Sequence, residues 1–92
     1  MSASNSMTDH LADFQSVLKA AISEAKAAGV EPSTSQLEER AFAAYATSSE
    51  WLGEAGLAIK AFLAAPGSSL PLSVVEKLNF CLAEVRKVWP RI

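Results

Sequence analysis

The apolar residues of the N-terminal third recur at steps of three and four. The stripe consists of Leu11, Phe14, Leu18, Ile22 and Ala25. This spacing puts the side chains on one face of an α-helix. Ser6 with Asp9 resembles a capping box at its start, and Gly29 ahead of Pro32 is a typical stop signal. We therefore predict a helix over about 8–28, closed by Gly29 in the left-handed conformation.

A second apolar stripe keeps one helical phase over a long stretch of the middle of the chain. Its members run from Leu37 to Leu63, and Ser35 with Glu38 forms a capping box in front of them. The unbroken phase favours one long or kinked helix over about 35–65. The alternative is a break at 47–50, because Thr47 and Glu50 are also a capping-box pair.

The third stripe follows the turn sequence at 66–69 and gives the last predicted helix. Ser73 with Glu76 is again a capping-box pair, and Pro90 ends the pattern, which predicts a helix over about 73–89. Its broad apolar face consists of Val74, Val75, Leu78, Cys81, Leu82, Val85, Val88 and Trp89. The expected fold is all-α: a small bundle of three main helices, the middle one long or kinked. It forms a single domain over 8–92 behind a disordered tail over 1–7.

Composition and charge narrow the classes of function. Hydrophobic residues make up 50% and charged residues 20% of the chain, as in globular domains, and the formal net charge is -2. Direct nucleic-acid binding is not expected, because phosphate contacts usually require a basic excess. The polar N-terminus does not resemble a signal peptide. The longest apolar stretch contains Lys60 and is too short for a membrane span. We expect a cytoplasmic protein.

Residue types for catalysis or metal binding are scarce. Cys81 is the only cysteine and His10 the only histidine, so neither a disulfide nor a cysteine–histidine zinc site is expected. The Glu-x-x-His pairs of di-iron bundles and glycine-rich phosphate loops are also absent from the sequence. We predict no enzyme activity, no cofactor and no metal, with Cys81 serving as a small core residue and His10 facing solvent at the start of the first helix.

A few large apolar residues fall off the predicted core stripes. Phe80 lies almost opposite the stripe centred on Leu78, Leu57 lies outside the main arc of the middle helix, and Phe42 lies at the edge of that arc. Trp51 is also at the edge, where core packing competes with a role as a partner anchor. Apolar outliers on two helices of a small protein indicate a surface for a partner or for self-association. The predicted partner-binding residues are Phe80, Leu57, Phe42 and Trp51.

Two segments carry a resemblance to known proteins. The stretches 45–54, YATSSEWLGE, and 81–90, CLAEVRKVWP, look like small helical proteins of alphaproteobacteria and their mobile elements. In size and character the chain is similar to quorum-sensing antiactivators of the QseM and TraM kinds. The resemblance implies a helical protein that binds a LuxR-type transcriptional activator and keeps it off DNA. The alternative is a structural homo-oligomer, for example a homodimer, whose apolar faces serve self-assembly.

Overall fold

The computed structural model describes residues 6–65 and 70–92 and contains four α-helices in that part of the chain. They are α1 (Ser6–Ala27), α2 (Ser33–Ala41), α3 (Ser48–Ala64) and α4 (Leu72–Arg86). The all-α prediction is confirmed for the described residues, which contain no strand. Helix α1 includes Ser6 and Met7 of the predicted tail, whereas 1–5 and the predicted loop at 66–69 lie outside the described residues.

The prediction of three main helices, the middle one long or kinked, is wrong, and the alternative of a break marked by the Thr47–Glu50 capping pair is confirmed. The region divides into α2 and α3, joined by the irregular segment 42–47, which we call the elbow. A local capping pair marks the end of the elbow and the start of α3. The Glu50 amide donates to the Thr47 hydroxyl oxygen (3.1 Å), and the Glu50 carboxylate accepts from the Ala46 amide (2.9 Å). These bonds satisfy amides that a new helix start leaves without partners.

The end of α1 follows the predicted stop signal. Gly29 has a φ of +79°, in the left-handed region that favours glycine. Its amide donates to the Lys26 carbonyl (3.0 Å), while the Val30 amide reaches back to the Ala25 carbonyl (3.1 Å). This pair of bonds is the Schellman motif, and the predicted closure of the helix by Gly29 in the left-handed conformation is confirmed.

The starts of α2 and α4 do not use the predicted capping boxes. Helix α2 begins at Ser33, and the amide and hydroxyl of Ser35 both donate to the Glu31 carboxylate (3.0 and 2.8 Å). Helix α4 begins at Leu72, and the Ser73 hydroxyl donates to Glu24 of α1 (2.6 Å). A carboxylate from outside the helix therefore binds each of these serines.

The core is formed mainly where α1 packs on α4 and α2 packs on α3. A smaller interface joins α3 to α4, and the smallest joins α1 to α2. The largest fully buried apolar side chains are Phe14, Leu18, Ile59, Leu78, Val74 and Val85. They come from α1, α3 and α4, which shows that α2 contributes least to the centre of the core.

A glycine in α3 permits the close approach of α4. A Cβ atom on Gly56 would lie 2.7 Å from Cγ1 of Val85 and 3.1 Å from Cγ2 of Ile92. The first distance is shorter than real carbon contacts allow, so a side chain here would push the two helices apart. This packing role offsets the helix propensity that glycine lacks.

The last helix ends earlier than the apolar pattern predicts. Helix α4 ends at Arg86, and Val88 and Trp89 lie beyond it with exposed side chains instead of continuing the buried face. The reason is local: Pro90 cannot donate a helical hydrogen bond. None of the helices in the described residues is long and apolar enough to cross a membrane.

Candidate protein-binding surfaces

Leu57 lies on the outer side of α3, with 45% of its surface exposed. Together with Trp89 and Ile92 it lines a shallow depression of about 220 Å³, bordered by Glu50 and Glu54. The lining of this depression thus combines three apolar side chains with two acidic ones. Leu57 therefore has two other large apolar side chains beside it.

Trp89 is a surface residue that the sequence interpretation missed, because its spacing placed it on the buried face of the last helix. Its indole NH donates to the Ser49 carbonyl of α3 (2.8 Å). The ring lies over Gly53, where a Cβ atom would be 3.2 Å from the indole nitrogen. The signals that could have revealed it are Pro90, which ends the helix, and the glycine that gives the ring room.

Phe80 is exposed on α4, with 42% of its surface accessible. It is not among the residues that line the Leu57 depression. Leu72, in the first turn of the same helix, is still more exposed at 71%, and the sequence interpretation did not single it out. The exposure of Phe80 agrees with its expected position opposite Leu78, which is fully buried.

Phe42 is half-buried at the end of α2 and packs against the core. The Lys19 ammonium lies 5.8 Å from the centre of its ring, within the range of a cation–π contact. Phe42 lines two separate depressions. The first, of about 530 Å³, lies towards Lys26 and Glu38, which form an ion pair between α1 and α2.

The second depression lined by Phe42, of about 390 Å³, is formed by the elbow. Trp51 lies on its α3 side, Gln15 on its α1 side and Tyr45 along the elbow itself. Trp51 is half-buried: its ring meets Phe14 edge to face, with centroids 5.1 Å apart at 86°. Its indole NH donates to the Ala41 carbonyl. Core packing is therefore a large part of what Trp51 does.

The four predicted partner-binding residues do not form one continuous surface. Phe42 and Trp51 line the elbow depression together, Leu57 lines the depression beside Trp89, and Phe80 lies in neither. Each depression is open and shallow. Small-molecule pockets, in contrast, enclose most of the ligand.

A polar contact joins α1 to α4 beside the core. Glu24 accepts hydrogen bonds from Lys77 (2.7 Å) and Ser73 (2.6 Å). The bonds from Lys77 and Ser73 stabilise the carboxylate and hold the pKa of Glu24 below its usual value. Because the group is open to solvent, the contact positions the two helices more than it stabilises them.

Cys81 is fully buried, as the sequence predicts for a core cysteine. Its thiol faces the Phe14 carbonyl at 3.8 Å. Burial, reinforced by the nearby Glu84 carboxylate, raises the pKa of Cys81 to about 12. A nucleophilic cysteine needs a lowered pKa and access to solvent, and Cys81 has neither.

Metal ligands do not converge in the part of the chain that the structure describes. Within that part, no three histidine, cysteine, aspartate or glutamate residues lie close enough to hold an ion. The side chain of His10 lies outside the described residues, so its expected solvent-facing position stays a prediction.

Comparison with known proteins provides no relative for this chain. No protein family, no curated protein and no solved structure matches it. The resemblance to quorum-sensing antiactivators therefore still depends on the two sequence segments that suggested it.

Proposed function

We propose that this chain is a small regulatory protein of the cytoplasm that acts by binding another protein and has no catalytic activity of its own. The observation that supports the proposal is the exposure of Leu57 and Phe80 on the outer faces of α3 and α4. Single exposed apolar side chains are common on protein surfaces. Leu57, however, has Trp89 and Ile92 beside it, and grouped apolar side chains with a polar edge are typical of binding surfaces.

The specific form of the proposal is an antiactivator that sequesters a LuxR-type transcriptional activator and blocks its binding to DNA. It is supported by the resemblance of segments 45–54 and 81–90 to such proteins. In the structure these segments include Trp51 and the exposed Val88 and Trp89. The mechanism would be docking of exposed apolar side chains into a groove of the partner.

The test combines a pull-down from the native host with substitutions at the exposed positions. We expect Leu57→Glu, Phe80→Glu or both to lose a partner that the original chain retains, because a buried charge without a partner opposes docking. Asn79→Glu, about 100° around α4 from Phe80, and Ser16→Glu on α1 are controls, since both side chains are exposed and neither lines the Leu57 depression. If both test variants fold normally and keep the same partner, the exposed apolar residues do not form the binding surface.

The antiactivator form needs a second measurement with purified components. The chain should bind a LuxR-type activator directly and release it from its DNA site in a mobility-shift experiment. Failure of that experiment together with a successful pull-down of another protein would reject the antiactivator and retain the regulatory binding protein.

The alternative is a structural homo-oligomer whose own copies cover these residues. Light scattering at several concentrations distinguishes this homo-oligomer from a monomer that binds a different protein. A strict monomer rejects the alternative, whereas a dimer in which Phe80 becomes protected would argue against a heterologous partner at that position.

A further inference from the structure

We propose that the elbow straightens to join α2 and α3 into one continuous helix, and that two copies of the chain then exchange their halves. The N-terminal half is α1 with α2, and the C-terminal half is α3 with α4. In the exchanged dimer each N-terminal half packs on the C-terminal half of the other copy. The proposal concerns self-association and does not depend on the proposed function.

The buried positions of α2 and α3 already share one helical phase. Leu37 and Ala41 are buried on α2, and Leu52, Ala55 and Ile59 are buried on α3. The step from Ala41 to Leu52 corresponds to about three turns of α-helix, so a straight helix keeps all of them on one face. A loop of arbitrary length between two separate helices would not in general keep their buried residues in one helical phase.

The residues of the elbow favour a helix over a loop. Segment 42–47 has the sequence FAAYAT and contains neither glycine nor proline. Three of its six residues are alanine, the best helix former, and each of these alanines is exposed. Loops normally contain the residues that turns require, so this composition indicates a segment that can adopt both conformations.

In the bent elbow, side-chain groups make the hydrogen bonds that backbone groups would make in a continuous helix. In an unbroken helix the carbonyls of Arg40 and Ala41 would accept from backbone amides four residues later. In the structure they accept instead from the Tyr45 hydroxyl (2.6 Å) and from the Trp51 indole NH. The Glu50 amide likewise donates to the Thr47 hydroxyl. Straightening therefore gives these backbone groups backbone partners and releases the Tyr45, Trp51 and Thr47 side chains from their present bonds.

The largest interfaces of the fold lie between the two halves. The halves meet where α1 packs on α4 and where α2 packs on α3, and these contacts exceed those within each half. The ion pairs Glu24–Lys77 and Arg40–Glu54 also cross from one half to the other. An exchanged dimer remakes all of these contacts between copies, so only the elbow changes its local structure.

Straightening also changes one of the surfaces described above. The depression lined by Phe42, Tyr45 and Trp51 depends on the bend of the elbow, whereas the Leu57 depression lies within the C-terminal half. If the proposed function uses Phe42 and Trp51, monomer and exchanged dimer differ in their ability to bind the partner. This consequence depends on the proposed function, and the experiment below does not.

The experiment cross-links a pair of residues that face each other across the two halves. The full chain carrying Glu24→Cys and Lys77→Cys is equilibrated at several concentrations in mild denaturant, returned to buffer and separated by size. Each fraction is treated with a short bismaleimide and run on a denaturing gel. The original chain, whose only cysteine is the buried Cys81, is the control. We expect the dimer fraction to give covalent dimers and the monomer fraction covalent monomers.

Elbow variants test the proposal in both directions. Ala43→Gly with Ala44→Gly disfavours the straight helix, and we expect the dimer dissociation constant to rise by about tenfold or more. Thr47→Ala removes the cap that only the bent form uses, so the constant should fall by about tenfold. Ala83→Gly on the exposed side of α4 is the control, because it weakens a helix without touching the elbow.

Three outcomes would overturn the proposal. The first is a chain that stays monomeric at every concentration, in both the original sequence and Thr47→Ala. The second is a dimer whose cross-links remain within single chains, which is ordinary association of surfaces. The third is a dimer that responds to the elbow variants no more than to Ala83→Gly.

Discussion

The α1–α4 interface and the α2–α3 elbow are held together by different physical means. Along α1 and α4, large side chains such as Phe14, Leu18 and Leu78 are fully buried against each other. At the elbow, short-range hydrogen bonds from Thr47 and Trp51 fix the chain, and the aromatic side chains are only half-buried. One region is stabilised by apolar burial and the other mainly by local capping.

This difference shows where a sequence pattern determines a helix and where it does not. A stripe that buries large residues gains much more free energy from burial than local preferences can oppose. A stripe of small residues gains less, so a capping pair can redirect the chain. The elbow lies at the weak point of the second stripe, where the apolar members are mainly alanines.

The largest effect should come from truncating the α1–α4 core. We expect Leu78→Ala to lower the free energy of unfolding by about 2–5 kcal/mol, because the side chain is fully buried and leaves a cavity. Leu57→Ala, at an exposed leucine, should change it by less than about 1 kcal/mol. Urea unfolding of both variants measures the difference. Equal losses would show that Leu57 is part of the core and not of a binding surface.

Alkaline pH should weaken the α1–α4 interface, because the buried Cys81 thiol of α4 faces Phe14 of α1 there. Its folded pKa of about 12 lies above the ordinary value of 9.0, so the folded state holds the proton more tightly. The stabilising contribution is complete below about pH 9 and is lost as the pH rises towards 12. The slope is up to about 1.4 kcal/mol per pH unit. The midpoint temperature of thermal unfolding should therefore fall more steeply with rising pH for the original chain than for Cys81→Ala.

The interface between α3 and α4 gives an intermediate effect. We expect Gly56→Ala to reduce stability by about 1–2 kcal/mol, because the clash with Val85 exceeds the gain in helix propensity. Gly53→Ala is the matched control. Its Cβ atom meets Trp89, which lies outside the helix and is 43% exposed, so the ring can move. A Gly53→Ala variant that loses as much as Gly56→Ala would contradict this explanation.

Removing the cap should weaken the elbow by less. Thr47→Ala deletes the acceptor for the Glu50 amide, and we expect a loss of about 1 kcal/mol for the monomer in urea unfolding. Thr47→Ser keeps the hydroxyl and serves as the control. A Ser variant that is as unstable as the Ala variant would mean that the hydrogen bond does not hold the elbow.

The smallest effect should have the opposite sign. Thr34 of α2 is fully buried, and its hydroxyl has no hydrogen-bond partner among the described residues. Thr34→Val keeps the shape and removes the polar group, so we expect stability to rise by up to about 1 kcal/mol. Destabilisation in urea unfolding would reveal a partner for this hydroxyl in solution.

The candidate surfaces could be predicted from the sequence only in part. Helical phase alone separates Phe80 and Leu57 from the core stripe, and both are exposed. The helical phase of Trp89 continues the buried stripe, so phase alone does not reveal that this residue is exposed. Its position depends on the end of α4 at Arg86 and on the space above Gly53, which involve another helix.

The sequence by itself determined the all-α class, the Gly29 stop and most of the buried faces, because each depends on spacing or on conformational preference within a few residues. Tertiary structure decided that the middle stripe divides at the elbow. There the continuous phase and the Thr47–Glu50 pair favour different structures of similar free energy. Within a monomer, packing of α2 on α3 selects the bent form, since one chain can make the Trp51 contacts with Phe14 and Ala41 only by turning back on itself.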